Sequence, residues 1–464
     1  MESRRYLTNG YSISNNTWET RLNNNDIICG ATGCGKTRGY VAPNIRMSQE
    51  SMIICDTKGV LYGQMKEDLR KRGYKVRNID FTSDGSEYGY NPMRFIRKNE
   101  KTGLYREDDI HRLANAICIV ENGNDPFWDY AARMFLEALI AYVLEALPDD
   151  YHHLETVRRL AVQLGAYQKG EEKQGKTNRE AVQKEYIRKF RRKTDRFDKD
   201  HHPIYLMSAG EICEAVTQPV YPYGFATMIA ELEQQKPDAI AAKLFHTFKA
   251  CADAEKMYAS ILGILAEKLI PLVTNENIAL YKNRKQISFV PFGQEKTALF
   301  LTVSDIDRTK DVLVNIMYTQ ALECLIRSAD CDYEEHRLRV PVRFILDDFA
   351  SSAIIPDFDN IISVIRSREI AVSIIVQSVS QLYDKYGKEK AATILNNCDH
   401  MIYLGGQDIA TAEYISKRAN KTLASIIEQP LSTVYLLERG RKAICLQEEQ
   451  NMNTMRKGGM SYEI

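Results

Sequence analysis

Eight consecutive residues, Gly30-Ala31-Thr32-Gly33-Cys34-Gly35-Lys36-Thr37, carry the pattern G-x-x-x-x-G-K-[ST]. They come straight after the apolar run Asp26-Ile27-Ile28-Cys29, which is the strand context that a phosphate-binding loop requires. Glycines at these places let the backbone point its N–H groups inward at a β-phosphate, and the following helix presents its positive end. Lys36 is then placed to reach the β- and γ-phosphates and Thr37 to ligate Mg2+, so ATP and Mg2+ are the expected ligands. The competing reading, a glycine-rich turn with no ligand, does not account for the strand ahead of it.

A second set of residues would complete that chemistry. Phe344-Ile345-Leu346-Asp347-Asp348 is an apolar strand with two acids at its carboxyl end. Asp347 would hold Mg2+ through water, and Asp348 would orient the attacking water as general base. Burying two carboxylates for packing alone is costly; the alternative structural role is a helix N-cap by Asp348. Ala371–Gln377 is another buried strand, ending in Gln377-Ser378, where an amide can sense a γ-phosphate. Arg366 and Arg368 lie between these two strands. Either suits the negative end of a helix, or one is an arginine finger that reaches a neighbouring subunit's nucleotide. Cys34 sits inside the loop beside a helix N-terminus, a setting that lowers a thiol pKa. The adjacent pairs His152-His153 and His201-His202 cannot aim at one metal from a single helix face, and no Cys/His set has zinc-finger spacing.

These residues need a scaffold, and composition bounds it. The chain has 464 residues, 44% hydrophobic and 27% charged, which excludes a fibrous or disordered protein. Basic and acidic residues number 62 each, so any nucleic-acid contact would use a local patch or the inside of a ring. The ten Cys residues form no regular framework and read as reduced thiols in a cytoplasmic protein. No uncharged apolar run of about 18 residues exists, and no signal-peptide core follows the N-terminus.

Asp26–Gly30, Ser51–Asp56 and Tyr74–Phe81 are short apolar runs separated by helical stretches, which predicts a parallel sheet flanked by helices. Phe127, Ala131, Met134, Phe135, Ala138, Tyr142 and Ala146 then recur at helical steps. Between about 149 and 283 no convincing strand is visible, and the segment reads as helices. Glu171–Asp200 is dense in Lys and Arg and reads as a solvated face or loop, or else as a nucleic-acid patch. Asp238–Val273 predicts a helix broken near Ala252. Strands return at Ala298–Val303, Val342–Leu346, Ala371–Gln377 and Met401–Gly405, with helices expected at Thr309–Arg327, Phe358–Arg368, Glu389–Asn396 and Ile409–Ala419. Ser432–Cys445 predicts a hairpin turning at Arg439-Gly440-Arg441. The expected fold is α/β: a P-loop NTPase domain with a mostly parallel sheet, built from 1–148 and 284–464 and interrupted by an all-α domain at 149–283.

Thr32-Gly33-Cys34-Gly35-Lys36-Thr37 followed by Val41-Ala42-Pro43-Asn44-Ile45 resembles the type IV coupling proteins, the hexameric ATPases of bacterial conjugation and type IV secretion. Further blocks agree in order: Cys55-Asp56-Thr57-Lys58-Gly59, Tyr90-Asn91-Pro92, Asp125-Pro126-Phe127-Trp128 and Leu346-Asp347-Asp348-Phe349. Arg366-Ser367-Arg368, Val376-Gln377-Ser378 with Gln381-Leu382, Tyr386-Gly387, Asn397-Cys398 and Gly405-Gly406 complete a series that covers most of the chain. The resemblance implies a RecA-like domain, a homo-hexamer around a channel, and an all-α domain facing a relaxase–DNA complex. By motif position Arg366 matches the family's arginine finger and Gln377 its third nucleotide motif. Three departures stand out. The family's usual Asp-Glu is Asp347-Asp348 here, an acid often found after Lys-Gly is Val60, and the family's N-terminal membrane helices are missing.

The first functional expectation is therefore an ATPase that receives a relaxase–DNA complex and feeds it to a type IV secretion channel. It would sit in the cytoplasm against the inner face of the membrane, docked on a separate membrane anchor protein unless the chain is a piece of a longer one. The others are a DNA translocase or helicase without a secretion partner, and a substrate adaptor for which ATP is only a switch.

Overall fold

The computed structural model describes residues 3–8, 10–119, 126–164, 192–197, 203–206, 224–251, 255–304, 306–349, 354–431 and 433–447. In chain order its strands are β1 (Arg4–Thr8), β2 (Tyr11–Ser14), β3 (Asp26–Cys29), β4 (Ser51–Asp56), β5 (Lys75–Asp80), β6 (Arg192–Phe197) and β7 (Pro203–Leu206). There follow β8 (Thr297–Thr302), β9 (Val342–Leu346), β10 (Ile370–Val376), β11 (His400–Tyr403), β12 (Thr433–Glu438) and β13 (Ile444–Gln447). One sheet takes the order β13-β12-β11-β3-β10-β9-β4-β8-β5. Every pairing from β11 across to β5 is parallel, and β12 and β13 add an antiparallel edge.

Side chains alternate along a strand, so each apolar run serves two faces. Ile27, Cys29, Ile53, Phe344, Val372 and Ile374 join one core cluster. Their neighbours Ile28, Met52, Ile54, Ile345 and Ile375 join the other. Both faces are covered by helices, which is why these strands are apolar throughout. The helix Val60–Lys71 lays Leu61, Met65 and Leu69, spaced at four, onto the second face. The helix Asp311–Asp332 covers the first with Leu313, Met317, Ala321 and Leu325.

The helix Phe127–Ala146 packs against Glu107–Ile117, Ile240–Cys251 and Glu255–Lys268. The ring of Phe135 lies 4.8 Å from Phe248, 5.1 Å from Tyr258 and 5.4 Å from Phe225. Glu145 accepts from the N–H groups of Ile240 and Ala241 at 3.0 and 2.9 Å, satisfying two donors at the start of their helix. A boundary at residue 149 therefore falls between the helix Phe127–Ala146 and two of the helices it packs against, Ile240–Cys251 and Glu255–Lys268.

Some expectations are corrected. Residues 149–283 are not free of strands, because β6 and β7 pair antiparallel there. The run Arg192-Lys193-Thr194-Asp195-Arg196-Phe197 is too polar for hydrophobic patterning to mark it as a strand. The rest of the basic stretch Glu171–Asp200, the pair His201-His202, Asp125 and the break near Ala252 lie outside the described residues. The hairpin β1–β2 has no counterpart among the expected elements. The helix expected at Glu389–Asn396 starts at Val379, and Gly387 interrupts it with φ 75° and ψ 161°, which hides its first half from a periodicity reading. Among the described residues no single helix is long and apolar enough to cross a membrane.

Candidate nucleotide site

Strand order brings the motifs together. β10 lies between β3 and β9, with Cys29 opposite Val376 and Leu346 opposite Ile374. Gly30–Thr37, Gln377 and Asp347-Asp348 thus leave the same carboxyl edge of the sheet on adjacent strands. In an open α/β sheet that edge is where ligands bind.

The loop is held from beneath. The N–H of Gly30 donates to the Val376 carbonyl at 3.2 Å, and that of Ala31 to the Gly405 carbonyl of the β11 loop at 2.9 Å. A Cβ on Gly30 would stand 2.6 Å from Cys34 Sγ and 2.9 Å from Leu404 Cβ, so only glycine fits. Gly33 and Gly35 have φ of 80° and 89°, a backbone region that disfavours other residues. Lys36 Nζ donates to the carbonyls of Gly30 at 2.7 Å and Ala31 at 3.0 Å, which keeps the ammonium over the loop. Cys34 is partly exposed within it. The next helix opens with a widened turn, Thr37–Val41, in which Ala42 N–H bonds the Thr37 carbonyl five residues back.

Thr37 Oγ1 donates to Asp347 Oδ2 at 3.3 Å. Burial, and then the charge of Asp348, holds the Asp347 carboxyl above its ordinary value, while the Asp348 N–H donates to its Oδ1 at 3.1 Å. A hydroxyl and a reluctant carboxylate side by side are hard oxygen donors that fit Mg2+. Asp348 itself has φ of 55°, and Arg308 Nη2 stands 3.9 Å from its Oδ2. The helix Phe358–Val364 has Asp357 at its N-cap position, so Asp348 does not cap it. Gln377 is fixed at the loop base: its N–H donates to Gln381 Oε1 at 3.1 Å, and its carbonyl accepts from Cys29 Sγ at 3.7 Å.

Two neighbours escaped the sequence reading. Arg308, just beyond β8, also stands 3.9 Å from Asp311 Oδ2. Burial pushes the Asp311 carboxyl up to about 6 against the pull of Arg308. No motif marks them; the available signal was a charged cluster after a buried strand end.

Arg366 is not brought to this site. The turn Arg366–Arg368 precedes β10, so the whole strand separates it from Gln377, roughly 20 Å at strand rise. Arg368 is bound within the chain, donating to Asp330 at 2.8 and 3.0 Å. The exposed Arg366 side chain has no hydrogen-bond or ion-pair partner among the described residues.

The family model for type IV secretory system conjugative DNA transfer matches residues 7–426. Protein VirD4 of Rhizobium radiobacter is 22% identical over 417 residues, which cover 89% of this chain and 48% of that protein. Protein VirD4 of Agrobacterium fabrum (strain C58 / ATCC 33970) is 22% identical over 421 residues, with 89% and 50% covered. The chain thus spans about half the length of these curated relatives. The solved structure of the bacterial conjugative coupling protein TrwBdeltaN70 aligns with a TM-score of 0.62 at 14% identity, over 97% of this chain and 89% of that one. TrwB in complex with ADP and Mg2+ aligns with the same TM-score and coverage. The likeness shows the fold, a RecA-like P-loop NTPase with a mostly parallel sheet.

Proposed function

The chain belongs to the type IV secretory system conjugative DNA transfer family, and on that premise we propose that it is an ATP-hydrolysing coupling protein that delivers a relaxase–DNA complex to a type IV secretion channel. The observation that carries this reading is the meeting of the phosphate loop, the acidic pair and Gln377 on three adjacent strands, with Arg366 exposed at the far edge.

Lys36 would leave its two loop carbonyls for the β- and γ-phosphate oxygens. Thr37 and Asp347 would hold Mg2+, which when bound neutralises phosphate charge. The solved complex of TrwB with ADP and Mg2+ supports that ligand pair on this fold. Asp348 would orient the attacking water and take its proton on a side-chain oxygen. Gln377, rigid at the loop base, would report on the γ-phosphate. Arg366 cannot reach its own chain's phosphates, so it would serve a neighbouring copy's, which calls for a ring with one site at each junction. The helical body would face the relaxase–DNA complex, and a separate membrane protein would anchor the ring at the inner face of the cell membrane.

One observation favours a second reading, an ATP-switched adaptor with little turnover. Asp348 is a methylene shorter than glutamate, and it stands near a cationic neighbour, Arg308. ATPase rate measured against protein concentration, with and without single- and double-stranded DNA, separates the cases. Turnover that rises more than linearly and is stimulated by DNA supports the coupling ATPase. ATP binding without turnover under every condition would favour the adaptor.

A further inference from the structure

We infer that Asp26 and Tyr40 form a positioning hub which sets the Mg2+-side geometry of the nucleotide site from the opposite edge of the sheet. Asp26 is the first residue of β3 and is fully buried. The Tyr40 hydroxyl donates to its Oδ2 at 2.6 Å and lies 2.9 Å from Ser373 Oγ. Arg5 Nε reaches the two carboxylate oxygens at 3.1 and 3.0 Å, and Arg343 Nη1 stands 3.6 Å from Oδ2. His400 Nδ1 is 3.3 Å from Oδ1. Arg343 also donates to Ser373 Oγ at 3.1 Å and to Glu50 Oε2 at 2.7 Å.

The partners are not scattered. Tyr40 is on the helix just after Lys36 and Thr37. Arg343 is on the strand that ends in Asp347-Asp348, Ser373 on the strand that ends in Gln377, and His400 on the strand leading to Gly405. One carboxylate and its immediate partners thus hold together every element that delivers a nucleotide motif. Burying so many charges gains little stability over well-packed apolar side chains, so orientation is the better account of them. Although burial pushes the Asp26 carboxyl up, Arg5, His400 and Arg343 hold it well below the usual carboxylate range. Burial and the Asp26 charge raise the Tyr40 phenol, so it remains a donor.

The widened turn connects this hub to the chemistry. A regular helix advances about 100° per residue, so one extra residue in a turn rotates the remainder of the helix. Thr37–Val41 is such a turn, and Tyr40 within it is buried beneath the sheet. The bond to Asp26 therefore anchors the turn that begins at Thr37, whose hydroxyl faces Asp347.

Tyr40→Phe removes one oxygen and keeps the ring. The inference rests on ATP and Mg2+ as ligands, and a wild type that does not bind ATP would defeat that reading rather than the hub. Titrating ATP with and without Mg2+ gives a readout independent of turnover. Tyr40→Phe should keep its Mg2+-free affinity within about twofold and lose most of the strengthening that Mg2+ confers. Where the wild type hydrolyses ATP, kcat should fall roughly 10- to 100-fold, the scale of small misplacements in an active site. A purely structural role would lower Tm while leaving the Mg2+ effect and the kcat of folded protein unchanged, and that result overturns the proposal. Ser373→Ala, which removes the hydroxyl's second partner and keeps the Tyr40–Asp26 bond, should shift the Mg2+ effect in the same direction by less. It keeps the test open if Tyr40→Phe does not fold.

Discussion

The two edges of the central sheet use the same kinds of residue in opposite ways. At the carboxyl edge Lys36, Asp347, Asp348 and Arg308 are partly exposed, and Arg308 stands 3.9 Å from both Asp348 and Asp311 while the Thr37 hydroxyl lies 3.3 Å from Asp347. At the amino edge Asp26, Arg5, Arg343 and Glu50 are buried; Arg5 holds Asp26 at 3.0 and 3.1 Å and Arg343 holds Glu50 at 2.7 Å, with Arg343 a further 3.6 Å from Asp26. The difference fits the task proposed for each set. A charge that meets a ligand must remain near water and lightly held, so that exchanging partners is cheap. A charge sealed in the interior is tolerable only when its partners are already in place. The carboxyl edge also leads into a helix N-terminus, whose unpaired N–H groups favour phosphate. The proposed division, chemistry at one edge and alignment at the other, would thus follow from strand direction as well as from residue type.

This contrast can be broken at either edge. Lys36→Ala should have the largest effect, abolishing turnover and weakening ATP binding while moving Tm little; wild-type turnover in the purified variant would end the site assignment. Arg366→Ala should lower turnover roughly 10³-fold at nearly unchanged ATP affinity. Mixing it with Lys36→Ala protein should restore some activity through composite sites, and rates linear in protein concentration and indifferent to the mutation would refute a trans-acting arginine. At the amino edge Glu50→Ala leaves Arg343 without its 2.7 Å partner in the interior. Urea unfolding should show a loss of about 3–5 kcal/mol, a result that a loss under about 1 kcal/mol would contradict.

Smaller effects sharpen the comparison. Asp348→Asn should leave nucleotide binding intact and cut hydrolysis roughly 100-fold, the scale of a lost general base. An equal loss of binding would make Asp348 the metal-side acid instead of Asp347. Asp311 provides the smallest effect and a pH signature. Burial raises its carboxyl from 3.8 to about 6 in the folded chain. The folded state therefore holds this proton more tightly than the unfolded chain, and the associated stability is present below about pH 4 and lost as pH rises through 6. Asp311→Asn should be more stable than the wild type at pH 8, on the order of 1 kcal/mol after allowing for solvent screening. The advantage should vanish by pH 4, and an advantage of equal size at both pH values would show that the raised carboxyl is not its source.

Local chemistry was legible along the chain because it is written in neighbouring residues. The eight-residue phosphate loop is a backbone conformation specified by its own glycines, and β4 and β9 have the bounds their apolar runs predict, Ser51–Asp56 and Val342–Leu346. The helix Phe127–Ala146 matches its three- and four-residue stripe. Fold class and motif identity come from signals of this kind, each contained within about 20 residues. The tertiary structure alone decided that β10 separates β3 from β9, that Arg366 lies at the opposite end of β10 from the loop, and that helices on both sides of residue 149 share a core. It alone joined Arg5 to His400, 395 residues apart, around Asp26. An isolated Asp before Ile27-Ile28-Cys29 says only that a charge begins a strand. Which charges meet it depends on how sheet faces and helices pack over long sequence separations, and no local periodicity encodes that choice.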